Sequence, residues 1–249
     1  MRRAACWFLA FALFAPSPAA AIVGGAPASD EIAAETALIA STRGASCSSA
    51  VLARDLLLTS AHCVAPPSDY AAVVFEGAGP RLIPVARTAL HPRFDADGFD
   101  AGRPSPDLAL VKLASPLPVS FRPVRLHRDT KAPRAGDRFT LAGYGLTREG
   151  DGSSVGKLHA LALPAIGNTI DKTGVIMVRL SAGGAANAGA CIGDSGGPVY
   201  KESAVAAVIG WTIGHGAREC GRVTGATLVA PQLGWIRDAA RELGAQFGE

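Results

Sequence analysis

Residues 191–198 read Cys191-Ile192-Gly193-Asp194-Ser195-Gly196-Gly197-Pro198, and no other stretch constrains the chain so tightly. A serine hydroxyl is a poor nucleophile at neutral pH, so it needs a nearby base and hydrogen-bond donors aimed at the developing oxyanion. Glycines on both sides of Ser195 let the backbone turn tightly enough to expose the hydroxyl and present neighbouring amides. Ser195 is therefore the candidate nucleophile, and its base must be supplied from elsewhere in the sequence.

Taken alone, residues 193–197 match the G-x-S-x-G elbow of α/β-hydrolases, whose triad runs Ser, then Asp or Glu, then His. The only histidine after Ser195 is His215, the sole acid between them, Glu202, lies in a hairpin-like run, and no βαβ alternation precedes the serine. The base is found upstream instead, in Leu58-Thr59-Ser60-Ala61-His62-Cys63. A histidine after an apolar run is more often structural than catalytic, but Cys63 beside it offers a covalent anchor for the loop. His91, His127, His159 and His215 lack such a context. The third candidate is Asp107, in Pro106-Asp107-Leu108-Ala109-Leu110-Val111-Lys112-Leu113, although an aspartate before a strand is commonly a turn residue.

These three segments, in the order His62, Asp107, Ser195, resemble the motifs of the trypsin/chymotrypsin family: T-A-A-H-C with Ser60 in place of Ala, D-I-A-L-L-K-L, and the nucleophile loop. Ala142-Gly143-Tyr144-Gly145 and a closing tryptophan helix extend the resemblance over nearly all of 22–249. It implies an all-β fold of two six-stranded antiparallel β-barrels with the active site in the cleft between them and a C-terminal α-helix. It also implies serine endopeptidase activity, with His62 as general base, Asp107 as its orienter, and the Gly193 and Ser195 N–H groups as oxyanion hole. Ile22-Val23-Gly24-Gly25 resembles the family's mature N-terminus, whose freed α-amine pairs with the acid that maps to Asp194.

The first 21 residues carry Arg2 and Arg3, an apolar run from Trp7 to Ala15, and Ala19-Ala20-Ala21 as a cleavage signal. The run is far short of the ~20 apolar residues a spanning helix needs, so residues 1–21 are expected to be a signal peptide and the protein to be secreted, extracellular or periplasmic. Cleavage there leaves 249 − 21 = 228 residues beginning at Ile22, with the formal charge reduced from +3 to +3 − 2 = +1. Export alone is thus expected to expose Ile22. With no long Lys/Arg block left, no nucleic-acid partner and no membrane anchor are expected. The moderately basic segment Arg122–Arg138 reads as a solvated linker.

Cys6 leaves with the leader, and the four remaining cysteines argue for two disulfides in an exported chain. Three connectivities are possible; nearest-neighbour pairing gives Cys47–Cys63 and Cys191–Cys220, each stabilising by about 3 kcal/mol. The absence of any C-x-x-C spacing argues against a zinc site, and neither cofactor nor metal is expected.

Short runs such as TALIA (36–40), LLLTS (56–60), LALVKL (108–113), FTLAGYG (139–145), GVIMVRL (174–180) and AVAAVIGW (204–211), separated by Gly, Pro, Asp and Ser, predict antiparallel strands. A proline-rich stretch (116–133) divides them into halves of about 22–128 and about 129–249. Trp235, Ile236, Ala239, Ala240, Leu243 and Phe247 recur at helical spacing after Pro231.

The sequence departs from the family in its specificity pocket. Where trypsins place an aspartate, this chain has Gly189 followed by Ala190, and the usual Ser-Trp-Gly wall appears as Gly210-Trp211-Thr212. Cleavage after small or medium apolar residues is expected rather than after Lys or Arg. A glutamyl-type endopeptidase using His215 and a catalytically inactive binding protein are the alternatives. The loop from Ile166 to Ala190 reads as trimmed, and the family's further C-terminal disulfide has no cysteines. Expected partners are polypeptide substrates and protein inhibitors, and the chain is expected to be monomeric.

Overall fold

The computed structural model describes residues 22–248 except 77–78, 101–102, 153–155, 172–173, 185–186, 215 and 217–218. The signal-peptide reading of residues 1–21 and the glutamyl-type reading of His215 lie outside the described residues.

Thirteen strands dominate the described residues. β2 (Thr36–Ser41), β3 (Ser46–Ala53), β4 (Leu56–Thr59), β5 (Tyr70–Glu76), β6 (Gly79–Leu90) and β7 (Ala109–Leu113) close into a barrel in the order β2-β3-β4-β7-β6-β5. A second antiparallel set consists of β8 (Arg138–Gly143), β9 (His159–Asp171), β10 (Gly174–Leu180), β11 (Pro198–Lys201), β12 (Ala204–Ile213) and β13 (Val223–Leu228). Its order is β9-β10-β13-β12-β11-β8, and pairing of β8 with β9 closes it. The short β1 (Ala26–Pro27) adds to the outer side of β9, so the start of the described chain lies against the second barrel.

Leu56-Leu57-Leu58 explains why the barrels pack together. Side chains alternate across a strand, yet all three leucines are fully buried. Leu57 points into the first barrel with Ile39, Val51, Val74 and Val111, while Leu56 and Leu58 join Ala142, Val205 and Val208 of the second barrel. The outer face of β4 is thus interior to the molecule. The second barrel has its own core around Phe139, Leu141, Val178, Val199 and Ile209.

The terminal helix forms, though it stops short of Leu243 and Phe247: a 3-10 turn at Ala230–Gln232, with Pro231 at its start, leads into α3 (Leu233–Glu242). Ile236, Ala239 and Ala240 face the inter-barrel core, whereas Arg237, Asp238 and Arg241 face outward. Two helical pieces carry no strong sequence signal, α1 (Asp30–Glu35, capped by Ser29) and α2 (Ala96–Asp100).

One sequence expectation is refined and one is revised. The segment after Arg122 is largely exposed, as a solvated linker should be, but it is also a strap tied to both barrels: Val124 N–H donates to Val51 O in the first barrel, and His127 N–H donates to Val205 O in the second. Each crossing satisfies backbone groups that proximity to the core would otherwise strand. The stretch from Ile166 to Ala190, read as one trimmed loop, contains the last residues of β9 and all of β10, and among its described residues only the end from Ser181 is irregular.

Candidate active site

His62 sits in a 3-10 turn (Ala61–Cys63) at the end of β4. Three contacts hold that turn. The His62 backbone N–H donates to Asp107 Oδ1 at 3.0 Å, Ser60 Oγ donates to Ile209 O in the other barrel at 2.7 Å, and Cys63 is disulfide-bonded to Cys47 on β3. Asp107 lies two residues before the start of β7, and its Oδ2 lies 2.7 Å from His62 Nδ1. The carboxylate side chain is 2% exposed and the imidazole 21%. The acid is thus shielded beneath a histidine that faces the cleft. That hydrogen bond fixes the tautomer and leaves Nε2 directed elsewhere.

Ser195 lies on the loop before β11, held from both barrels. Ser48 N–H of β3 donates to Ser195 O, Gly196 N–H donates to Ile209 O, and Gly197 N–H returns to Asp194 O. Ser48 Oγ donates to Gly193 O and accepts from Tyr144 N–H, each at 2.9 Å. The glycines are required here. A Cβ on Gly196 would lie 2.0 Å from Thr59 Oγ1, and one on Gly193 would lie 2.9 Å from Gly145 Cα, with both residues at positive φ.

Asp194 points away from the cleft and is fully buried. Its Oδ1 accepts from Gly145 N–H at 2.9 Å and its Oδ2 from Cys191 N–H at 2.8 Å. Burial pushes its carboxyl up to about 7, against the lowering effect of those two donors. Gly143 and Gly145 wall this site so closely that a Cβ on either would touch the carboxyl group. Ile22 is also fully buried, packed with Ala190 in the second core. Its φ is 55°, a left-handed conformation that a β-branched residue avoids. Next to it, Val23 bridges Gly189, whose N–H donates to Val23 O at 3.0 Å.

A cleft of about 1430 Å³ runs between the barrels, lined at its centre by His62, Gly193 and Ser195 and on one wall by Gly210, Trp211 and Thr212. Gly189 and Ala190 are buried behind that lining. Thr212 Oγ is within 2.9 Å of Ala190 O and 3.2 Å of Val223 O, so one hydroxyl ties the wall to the base of the slot. Trp211 folds its indole over Gly225, where a Cβ would lie 2.1 Å from Cε2. Ile192 and Ile213, 56% and 50% exposed, flank the opening. Cys191 is disulfide-bonded to Cys220, which ties the nucleophile loop to the opposite loop.

Several contributors escaped the sequence reading. Ser48 sits in an unremarkable Ser-Cys-Ser-Ser run, and Thr224, whose Oγ1 accepts from Ala190 N–H at 3.0 Å, follows no motif. Nor does their residue type mark them, since a buried hydroxyl is recognisable only from what it bonds. The one group of potential metal ligands among the described residues, Cys47, His62 and Cys63, has both sulfurs engaged in the disulfide.

The family model described as Trypsin matches residues 22–236. The dog protein Serine protease 1 (Canis lupus familiaris) is 26% identical over 77% of this chain and 78% of its own length. Pig Trypsin (Sus scrofa) is 25% identical over 77% and 84%. Human Serine protease 56 is 30% identical over 77% of this chain and 34% of its own. Among solved structures, human heparin binding protein superposes with a TM-score of 0.71 at 21% identity, covering 91% of this chain and all of that one. Mouse neuropsin gives 0.70 at 20% identity, covering 87% and 99%.

Proposed function

Because the chain belongs to the trypsin family of serine proteases, we propose that it is a secreted serine endopeptidase that hydrolyses peptide bonds through an acyl-enzyme at Ser195. The observation that carries the reading is the 2.7 Å contact between His62 Nδ1 and the buried Asp107 Oδ2, at the edge of a cleft that Ser195 also lines. His62 Nε2 takes the Ser195 proton as Oγ attacks the scissile carbonyl, then returns it to the leaving amine. Asp107 holds the imidazole in the required tautomer and stabilises the imidazolium without accepting the proton. The N–H groups of Gly193 and Ser195 bind the oxyanion, and water then releases the acyl group by the same proton route.

For activation, we propose that residues 1–21 are a signal peptide whose removal exposes Ile22, leaving one peptidase domain with halves at about 22–128 and about 129–249. The buried Asp194 carboxyl and the left-handed φ of Ile22 support this. Cutting the preceding peptide bond abolishes that torsion, relieving the strain, and creates an ammonium to pair with Asp194. For specificity, the uncharged Gly189 and the Thr212 tie across the slot support cleavage after small or medium apolar residues.

Labelling by a serine-directed phosphonate, with Ser195→Ala alongside, tests the reading. Wild-type protein should be labelled and hydrolyse peptides, and the variant should lose about 10⁶-fold in kcat. Unchanged hydrolysis by Ser195→Ala, or a wild type that neither labels nor cleaves, defeats it. The latter result leaves the fold as a binding module.

A further inference from the structure

The charge along the cleft is uneven. Its lining carries three arginines, Arg43, Arg103 and Arg179, and two acids, Asp107 and Glu219. Asp107 is buried against His62, and Arg103 is paired with Asp95 at 3.2 Å. Arg43 and Arg179 are exposed and have no ion-pair partner among the described residues. They stand on different barrels: Arg43 in the turn joining β2 to β3, Arg179 on β10.

Both are presented on stiff backbone. The Arg43 turn is tied by Thr42 N–H to Asp69 O, by Gly44 N–H to Ser41 O, and by Thr42 Oγ1 to Ser68 Oγ at 3.0 Å. Gly44 takes the positive φ this tight turn demands. Arg179 pairs across the sheet with glycines on both sides, Gly167 on β9 and Gly225 on β13. Its guanidinium lies over Gly167, where a Cβ would sit 3.0 Å from an Nη atom, as the Trp211 indole lies over Gly225. Two missing side chains thus make a floor on which an aromatic ring and a guanidinium lie side by side along the cleft. A planar guanidinium held this way presents its fork to a carboxylate with little ordering cost.

We infer that Arg43 and Arg179 are specificity-determining residues that select acidic side chains on opposite sides of the cleaved bond. The inference rests on the endopeptidase reading for its orientation, because a peptide whose scissile carbonyl lies at Ser195 must run past both ends of the cleft. Glu219 is the only exposed acid on the lining among the described residues. Acid selection is therefore confined to the two arginines, and the residue entering the slot is still chosen by shape.

The test is a peptide library randomised on both sides of one fixed apolar residue, cleaved by wild type, Arg43→Glu and Arg179→Glu. Wild type should enrich Asp and Glu on both sides, each acid changing kcat/KM by about two- to five-fold, as expected for partly exposed ion pairs. The enrichment should shrink toward unity at about 0.5 M salt, where screening is within a few ångströms. Each variant should erase or invert the preference on one side only, and the two should act on different sides. No acid enrichment, or enrichment that survives both variants, overturns the inference, as does loss on the same side in both. Binding of fluorescent acidic and neutral peptides to Ser195→Ala, with and without the arginine substitutions, separates this from failure of the protease reading. Arginine-dependent preference for acidic peptides without any hydrolysis by wild type keeps the inference and removes the enzyme. No charge preference in either assay removes the inference.

Discussion

Replacing Asp194 by asparagine in a chain whose Ala21–Ile22 bond is kept intact should flatten a specific part of the acid stability profile. In the uncleaved chain the carboxyl is fully buried, with two backbone N–H donors, and its pKa is raised from 3.8 to about 7. A raised folded-state pKa means that the neutral form is the favoured one. Its stabilisation is complete below the unfolded value, declines between about pH 4 and 7, and is absent above. The interval of about three pH units, at about 1.4 kcal/mol each, gives about 4 kcal/mol. Urea unfolding of both proteins across this range measures it. His91, whose burial lowers its pKa to about 4, loses stability in the opposite direction over an overlapping interval, but equally in both proteins, so the difference cancels it. The uncleaved parent should gain about 4 kcal/mol over the variant on going from pH 7 to pH 4. In the protein beginning at Ile22, the α-ammonium should remove most of that slope. Equal slopes for parent and Asp194→Asn in the uncleaved chain would refute the account of Asp194 as a buried, cation-seeking carboxyl.

Thr212→Gly removes the hydroxyl that ties the cleft wall to Ala190; it should raise kcat/KM for aromatic over small residues before the cleaved bond on the order of 10-fold, read from matched peptide substrates. Asp107→Asn should lower kcat by about 10⁴-fold while leaving peptide binding to the inactive form nearly unchanged. Replacing both Cys191 and Cys220 by serine opens a closed loop of 29 residues in sequence separation and should cost about 3 to 4 kcal/mol in chemical unfolding, with a larger fractional loss of activity than of fold. Activity of the protein beginning at Ile22 should fall reversibly at alkaline pH: the paired α-amine titrates above its free value of about 8, and its contribution persists below that value and vanishes above the raised one. Activity that stays flat through strongly alkaline pH counts against the pairing.

The local motifs were legible because each is a short run whose residue types are demanded by backbone geometry or chemistry. Gly193 and Gly196 are glycines because any Cβ would strike Gly145 or Thr59, and Leu56-Leu57-Leu58 is wholly apolar because both faces of β4 are buried. The order His62, Asp107, Ser195 and the closing amphipathic helix belong to the same class. β13 and the strap after Arg122 did not stand out, since Val223–Leu228 interrupts its apolar residues with Thr and Gly, and the strap is held by backbone bonds that carry no side-chain signature.

By itself, then, the sequence determined the two-barrel family, the identity of the triad candidates and the lack of charge at Gly189. Only the tertiary structure decided that Thr212 ties the slot, that Ser48 clamps the nucleophile loop, and that Arg43 and Arg179 share one cleft with no ion-pair partner among the described residues. The physical reason is separation along the chain. Ser48 meets Gly193 across 145 residues and Thr212 meets Ala190 across 22. Hydroxyl and guanidinium groups acquire a role only from the atoms that folding brings within about 3 Å of them.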